Sequence, residues 1–320
     1  MRSVPEIGER VKALGAQLDR VIIGQAKVKE QVLVCLLAGG HALLEGVPGT
    51  GKTLLGLAVS RLVGCRFRRI QFTPDLMPVD LLGTNVFNPQ SQSFEFHGGP
   101  IFTDVLLADE VNRTPPRTQS ALLEAMQEGA ATIDGTRHAI SDIFLVLATQ
   151  NPIEFEGTYP LPEAQRDRFL LKIQVDYPMV EEEAGILEAY AGGRKLHLDG
   201  VGSLQPVVTK DELVAARQTL SKMVRAEKGI LKYILDIVRA TRGHDSIQYG
   251  AGPRASLALL ESGRALAAIR GRDFVTPDDV KELVGPVMAH RITLTPEAEM
   301  EGLALEDVMC KIFEKVEVPR

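Results

Sequence analysis

The eight residues Gly46-Val47-Pro48-Gly49-Thr50-Gly51-Lys52-Thr53 constrain this chain more than any other stretch. They follow the apolar run Ala42-Leu43-Leu44 and precede Leu54-Leu55-Gly56-Leu57-Ala58, which reads as a helix. A turn of the form G-x-x-x-x-G-K-[ST] between a strand and a helix is a phosphate-binding loop. Its glycines let backbone N–H groups turn inward as a nest for phosphate oxygens. The N-terminus of the next helix adds partial positive charge. Lys52 is then placed to reach the β- and γ-phosphates, and the Thr53 hydroxyl to join a Mg²⁺ shell. The expected contacts on this side run through Pro48, Gly49, Thr50, Gly51, Lys52, Thr53 and Leu54. An accidental glycine turn is the competing reading, and the flanking strand and helix signals argue against it.

A second constraint lies downstream. Val105-Leu106-Leu107-Ala108 is a continuous apolar run, as in a strand buried on both faces of a parallel sheet. It ends in Asp109-Glu110, where open α/β sheets bind ligands. Asp109 suits the Mg²⁺ shell, and Glu110 suits a general base for water. An acidic strand end facing solvent is common, but the phosphate loop upstream favours the catalytic reading. The run 143–149 predicts another strand, ending in Gln150-Asn151-Pro152. An Asn before Pro usually forms a turn. Beside the acidic pair, Asn151 can instead orient the attacking water.

Further strands are expected at 67–72 and 170–175, giving an α/β core. Ile7, Val11, Leu14 and Leu18 fall at helical spacing, and a second helix passes through Val28, Val32, Leu36 and Leu37. Between them, Ile23, Gly24 and Gln25 read either as a link between helices or as a flat apolar wall for a base. A Gly/Pro/Asn-rich stretch over 75–100 contains two hairpin arms at 83–87 and 93–97. Asp134-Gly135 marks a second hairpin. Arg166 and Arg168 precede the last core strand; in a ring of identical subunits one of them can reach a neighbour's γ-phosphate as an arginine finger.

After residue 177 the pattern becomes helical, with segments at 181–191, 210–224, 230–242, 254–269 and 277–289. Thr209-Lys210-Asp211-Glu212 is a capping box, and Pro277 follows Thr276 at a first helical position. Arg254 falls in the first turn of its helix, where a cation is mildly unfavourable. That hints at an anionic partner, although an ordinary surface arginine fits as well. Residues 1–177 are therefore expected to form the core and 178–320 a helical lid.

With a net charge of −6 and no long run of one sign, the chain lacks the basic balance of a dedicated nucleic-acid surface. The three cysteines, Cys35, Cys65 and Cys310, form no metal or redox spacing. No apolar run approaches the ~20 residues of a membrane helix, and residues 1–6 carry no signal region. The expected place is the cytoplasm.

These residues together resemble the MoxR family of AAA+ ATPases from about residue 20 onward. The stretches that carry the resemblance are 44–53, Ile70-Gln71-Phe72-Thr73-Pro74-Asp75-Leu76, Asp109-Glu110-Val111-Asn112-Arg113, 119–128, Ala148-Thr149-Gln150-Asn151-Pro152 and Leu161-Pro162-Glu163-Ala164-Gln165. The resemblance implies a P-loop αβα core with a five-stranded parallel sheet and an all-helical lid, with ATP and Mg²⁺ at their junction. It makes Asp109-Glu110 the Walker B pair, Asn151 the sensor 1 residue and Arg254 the sensor 2 arginine. Gly24-Gln25 fall where backbone lies against adenine, and residues 75–104 and 130–141 resemble the helix-2 insert and the hairpin before sensor 1. Arg168, beside Phe169, fits the finger position better than Arg166, and Gln71 matches a polar switch residue facing Glu110.

The expected function is an ATP-hydrolysing ring, a hexamer, that remodels or activates a client. The resemblance adds a role as a chaperone and a partner carrying a von Willebrand A domain. Two rivals belong to other classes. One is a nucleotide-switch binding module with little turnover, which an intact Glu110 and Asn151 oppose. The other is a DNA-dependent motor, which the acidic balance opposes.

Overall fold

The computed structural model describes residues 1, 3–151, 157–193 and 198–319. Pro152, singled out above with Asn151, lies outside the described residues.

Five strands, β1 (Ala42–Glu45), β2 (Phe67–Gln71), β3 (Val105–Asp109), β4 (Leu145–Gln150) and β5 (Leu171–Gln174), form one sheet in the order β2-β3-β4-β1-β5. Every neighbouring pair is parallel. The central strands are apolar up to their C-terminal ends because helices cover both faces. Alternate residues go to opposite sides. Val105, Leu107, Leu145 and Leu147 join the core that contains α1 (Val4–Leu18), α2 (Ala26–Ala38) and α3 (Lys52–Leu62). Leu106, Ala108, Val146 and Ala148 join a second core under α4 (Pro116–Glu128) with Leu122 and Leu123. Burying each large apolar side chain contributes about 1.5–3 kcal/mol against leaving it in water. At the sheet edge, β2 tolerates the exposed Arg68 and Arg69.

Local signals place the smaller elements. Gly83–Asn88 and Ser93–Gly98 pair antiparallel as a hairpin, after a short helix Pro78–Leu82. Ala130–Ile133 and Thr136–Ala139 pair around Asp134 (φ 49°) and Gly135 (φ 79°), the two positive values a tight hairpin turn requires. The hairpins touch each other: Asn85 Nδ2 donates to Asp134 Oδ2 at 2.7 Å, and Phe96 stacks on His138 at 3.9 Å.

The C-terminal part is helical: α5 (Val180–Ala191), α6 (Lys210–Met223), α7 (Lys228–Ala240), α8 (Pro253–Ile269), α9 (Pro277–Met288) and α10 (Leu305–Glu314), with shorter turns between. The capping box expected at Thr209 forms, with Glu212 N donating to Thr209 Oγ1 at 3.3 Å and Thr209 N to Glu212 Oε2 at 2.8 Å. One detail departs from the sequence reading of an all-helical lid. Ile247–Tyr249 and Thr293–Leu294 pair as a short antiparallel ribbon. Strands of three and two residues carry no readable periodicity, so only the chain's return brings them together.

The helical part is tied to the core at several points. Lys210 Nζ reaches Asp104 Oδ1 at 2.9 Å, and Arg217 donates to Leu36 O. Arg291 bonds Asp167 Oδ1 at 2.7 Å and Phe169 O at 2.6 Å. Among the described residues no helix is long and apolar enough to cross a membrane.

Candidate functional site

The C-terminal ends of β1, β3 and β4 open onto a cleft of about 1100 Å³. Pro48, Gly49, Thr50, Gly51, Lys52, Thr53 and Leu54 line it, with Ile23, Gln25, Asp109, Glu110 and Asn151. Residues read separately along the sequence thus meet in one place.

The loop is built for an anion. Gly49 and Gly51 have φ of 85° and 83°, and Gly51 caps the N-terminus of α3. A Cβ at Gly46 would lie 2.1 Å from Val175 O, so that glycine is set by close backbone approach. Lys52 Nζ donates to Gly46 O at 2.9 Å and Val47 O at 2.7 Å. Burial pushes its ammonium down from the ordinary lysine value, and the charges of Asp109 and Glu110 oppose the shift.

The acidic end is tightly organised. Thr149 Oγ1 donates to Asp109 Oδ1 at 2.5 Å and accepts Glu110 N–H at 2.8 Å. Glu110 holds φ 57° and ψ 52°, the left-handed region that non-glycine residues rarely occupy. Gln71 Nε2 donates to Glu110 Oε2 at 2.6 Å, so Gln71 faces the glutamate as the family resemblance implied. Arg113 Nε stands 3.1 Å from the same oxygen. The hard oxygen donors Thr53 and Asp109 share this cleft with the phosphate loop, which suits Mg²⁺ bound by few protein ligands plus phosphates.

Gly24 (φ 70°) and Gln25 (φ 51°) turn the chain ahead of α2. Gln25 Nε2 donates to Thr50 O at 3.0 Å, joining this turn to the phosphate loop. Gln25 N donates to Glu182 Oε1 at 3.2 Å. Tyr177, Pro178, Ile186 and Leu187 complete the apolar wall.

The three candidate arginines are not among the residues lining this cleft. Arg168 Nη1 donates to Leu123 O at 2.6 Å and lines a separate pocket of about 540 Å³ with Glu124, Gln127 and Arg137. Arg166 lies 3.9 Å from Glu163. Arg254 is in the first turn of α8 as expected, but its partner is Asp167 Oδ2 at 3.7 Å, and it is not among the cleft-lining residues. Asp167, already held by Arg291, supplies the negative charge it meets.

The sequence reading did not single out Arg69, Arg113, Thr149, Glu182 or Tyr177 for the site. For Arg69 a signal existed: it is two residues from Gln71, and residues i and i+2 share a strand face. Glu182 carried none, because 157 residues separate it from Gln25.

The chain matches the ATPase family associated with various cellular activities (AAA) over residues 41–171 and the AAA lid domain over residues 239–312. The uncharacterized Bacillus subtilis protein YeaC is 44% identical, over 98% of this chain and 95% of its own. Chaperone MoxR1 of Mycobacterium tuberculosis is 42% identical, over 95% and 81%. A crystal structure of a candidate ATPase from Cytophaga hutchinsonii superposes with a TM-score of 0.91 at 38% identity, over 99% of this chain and 97% of that one. At 42% identity to a MoxR chaperone over nearly its whole length, and with both AAA models matched, the chain belongs to the MoxR family of AAA+ ATPases.

Proposed function

We propose that this protein is a Mg²⁺-dependent ATPase that assembles into a ring, a hexamer, and uses ATP hydrolysis to remodel a client protein in the cytoplasm. The observation that supports this reading best is the meeting of phosphate loop, Asp109, Glu110 and Asn151 in one cleft. Lys52 and the loop N–H groups bind the phosphates, and Gly24-Gln25 with Ile23 hold the base. Thr53 and Asp109 would hold Mg²⁺, which would supply charge neutralisation on the phosphates. Glu110 takes the proton of the attacking water, and Asn151 orients that water. Arg168 serves a neighbour's site, in keeping with its place in a pocket apart from its own cleft. Arg254 acts from the lid side, and its pairing with Asp167 gives it a route to the segment that carries Arg168. Family membership supports a client reached through a partner with a von Willebrand A domain.

Steady-state phosphate release tests the reading. Glu110→Gln should keep ATP binding and lose turnover by about two orders of magnitude or more. Arg168→Ala should also bind ATP and hydrolyse it poorly. Mixing the two variants should restore part of the activity. Undiminished turnover in Glu110→Gln would sink the assignment of the base, and failure of the mixture to recover would remove Arg168 from the trans role.

A further inference from the structure

Arg69 stands in the cleft without a role in the reading above. Its guanidinium donates to Asp109 Oδ2 from Nε at 3.1 Å and from Nη2 at 2.6 Å. Nη2 also donates to Gln71 Oε1 at 3.2 Å. That contact fixes which way the Gln71 amide points. Its oxygen is taken by Arg69, so its nitrogen faces Glu110, where it donates at 2.6 Å. The ladder register explains the convergence: Gln71 lies opposite Asp109 across the β2–β3 pair, with Arg69 two residues earlier. A chain of side chains therefore runs from Asp109 through Arg69 and Gln71 to Glu110.

Asp109 has two oxygens. Thr149 holds Oδ1 and Arg69 holds Oδ2. A divalent cation that draws on this carboxylate meets a guanidinium already neutralising it. We infer that Arg69 is a positioning residue that competes with Mg²⁺ for Asp109 and, through Gln71, couples the state of that carboxylate to the restraint on Glu110. The inference rests on the proposed roles of Asp109 and Glu110. Drawing Arg69 away from Asp109 also removes the donor that orients the Gln71 amide, so the hold on Glu110 slackens with it.

Equilibrium binding tests the first half without turnover. A fluorescent, non-hydrolysable ATP analogue is bound to the full chain and titrated with Mg²⁺. Arg69→Gln should lower the Mg²⁺ midpoint roughly two- to fivefold, the range for a half-exposed ion pair. Arg69→Lys, with one point charge in place of two fixed N–H donors, should fall between. In an Asp109→Asn background, where the carboxylate charge is gone, the effect of Arg69→Gln should vanish. A midpoint that is unchanged or raised in Arg69→Gln, or a shift that persists in the Asp109→Asn background, overturns the competition. If Asp109→Asn itself leaves the midpoint where it was, the metal role of Asp109 fails instead, so the two failures are separable. Turnover tests the second half. The effects of Arg69→Gln and Gln71→Leu on turnover should combine less than multiplicatively, as for residues in one network. Multiplicative effects overturn the coupling. The Lys variant carries both tests if the Gln variant does not fold.

Discussion

Gln71 Nε2 donates to Glu110 Oε2 at 2.6 Å, across neighbouring strand ends of the sheet. A glutamate that accepts from Gln71 and pairs with Arg113 through the same oxygen is restrained from turning to a water. Gln71→Leu removes one of the two restraints and keeps the side chain's bulk. Unstimulated turnover should rise roughly three- to tenfold, because a hydrogen bond to a charged group is worth on the order of 1 kcal/mol or more. ATP affinity should not move. A phosphate-release assay beside a binding titration checks both, and slower turnover would mean that Gln71 assists the glutamate.

Gly24 is a close-packed position as well as a turn. A Cβ there would lie 2.2 Å from Glu182 Cδ, at φ +70°. Gly24→Ala should push Glu182 off Gln25 N–H and strain the turn by about 1–2 kcal/mol. The expected result is an ATP Kd raised about tenfold with turnover at saturating ATP largely kept, since the acidic end is untouched. Glu182→Gln keeps an acceptor for Gln25 N–H and should have the smaller effect. Equal effects of the two changes would deny the packing argument.

His41 links three elements. Val146 N–H donates to its Nδ1 at 3.1 Å, so Nε2 carries the proton and donates to Met126 O at 3.1 Å. Burial lowers its pKa to about 4, opposed by the Met126 bond. The unfolded chain takes up a proton near the ordinary value of about 6.5, and the folded chain does not until about pH 4. Stability should therefore fall as pH drops through that window, by on the order of 3 kcal/mol from this residue. His290, also buried and lowered, adds to the same trend. Asp104 and Asp279 have depressed values and act below the ordinary carboxylate range, outside this window. Urea midpoints between pH 7 and pH 4.5 measure the slope, and it should shrink in His41→Gln. An unchanged slope would remove His41 as its source.

Asp279 is fully buried between two arginines and a helix cap. Arg272 reaches Oδ1 at 2.6 Å and Oδ2 at 2.8 Å, Arg270 reaches Oδ1 at 3.3 Å, and Thr276 N–H reaches Oδ2 at 2.9 Å. Asp279→Ala should cost about 3 kcal/mol, since it removes the N3 half of a capping box and leaves charge uncompensated. Thermal unfolding checks this, and a loss under about 1 kcal/mol would show that the arginines re-pair elsewhere.

Much of this protein was legible because its signals are local. The phosphate loop needs positive φ at fixed positions, and glycine at 49 and 51 declares it. Apolar strands ending in Asp109-Glu110 and Asn151 declare where the sheet ends, and Asp134-Gly135 declares a hairpin. The capping box at Thr209 is read at a spacing of three residues, and Pro277 after Thr276 marks another helix start. The tertiary structure alone decided the partners that close the site. Arg69 meets Asp109 only because β2 and β3 pair in one register. Glu182 meets Gln25 only because α5 returns to the start of α2. Arg254 sits in the helical turn its sequence announces, yet which anion it meets was set by Asp167, far away along the chain. Local backbone preferences act over a few residues and are written in the sequence, whereas a contact between distant side chains depends on register and packing that the whole fold sets.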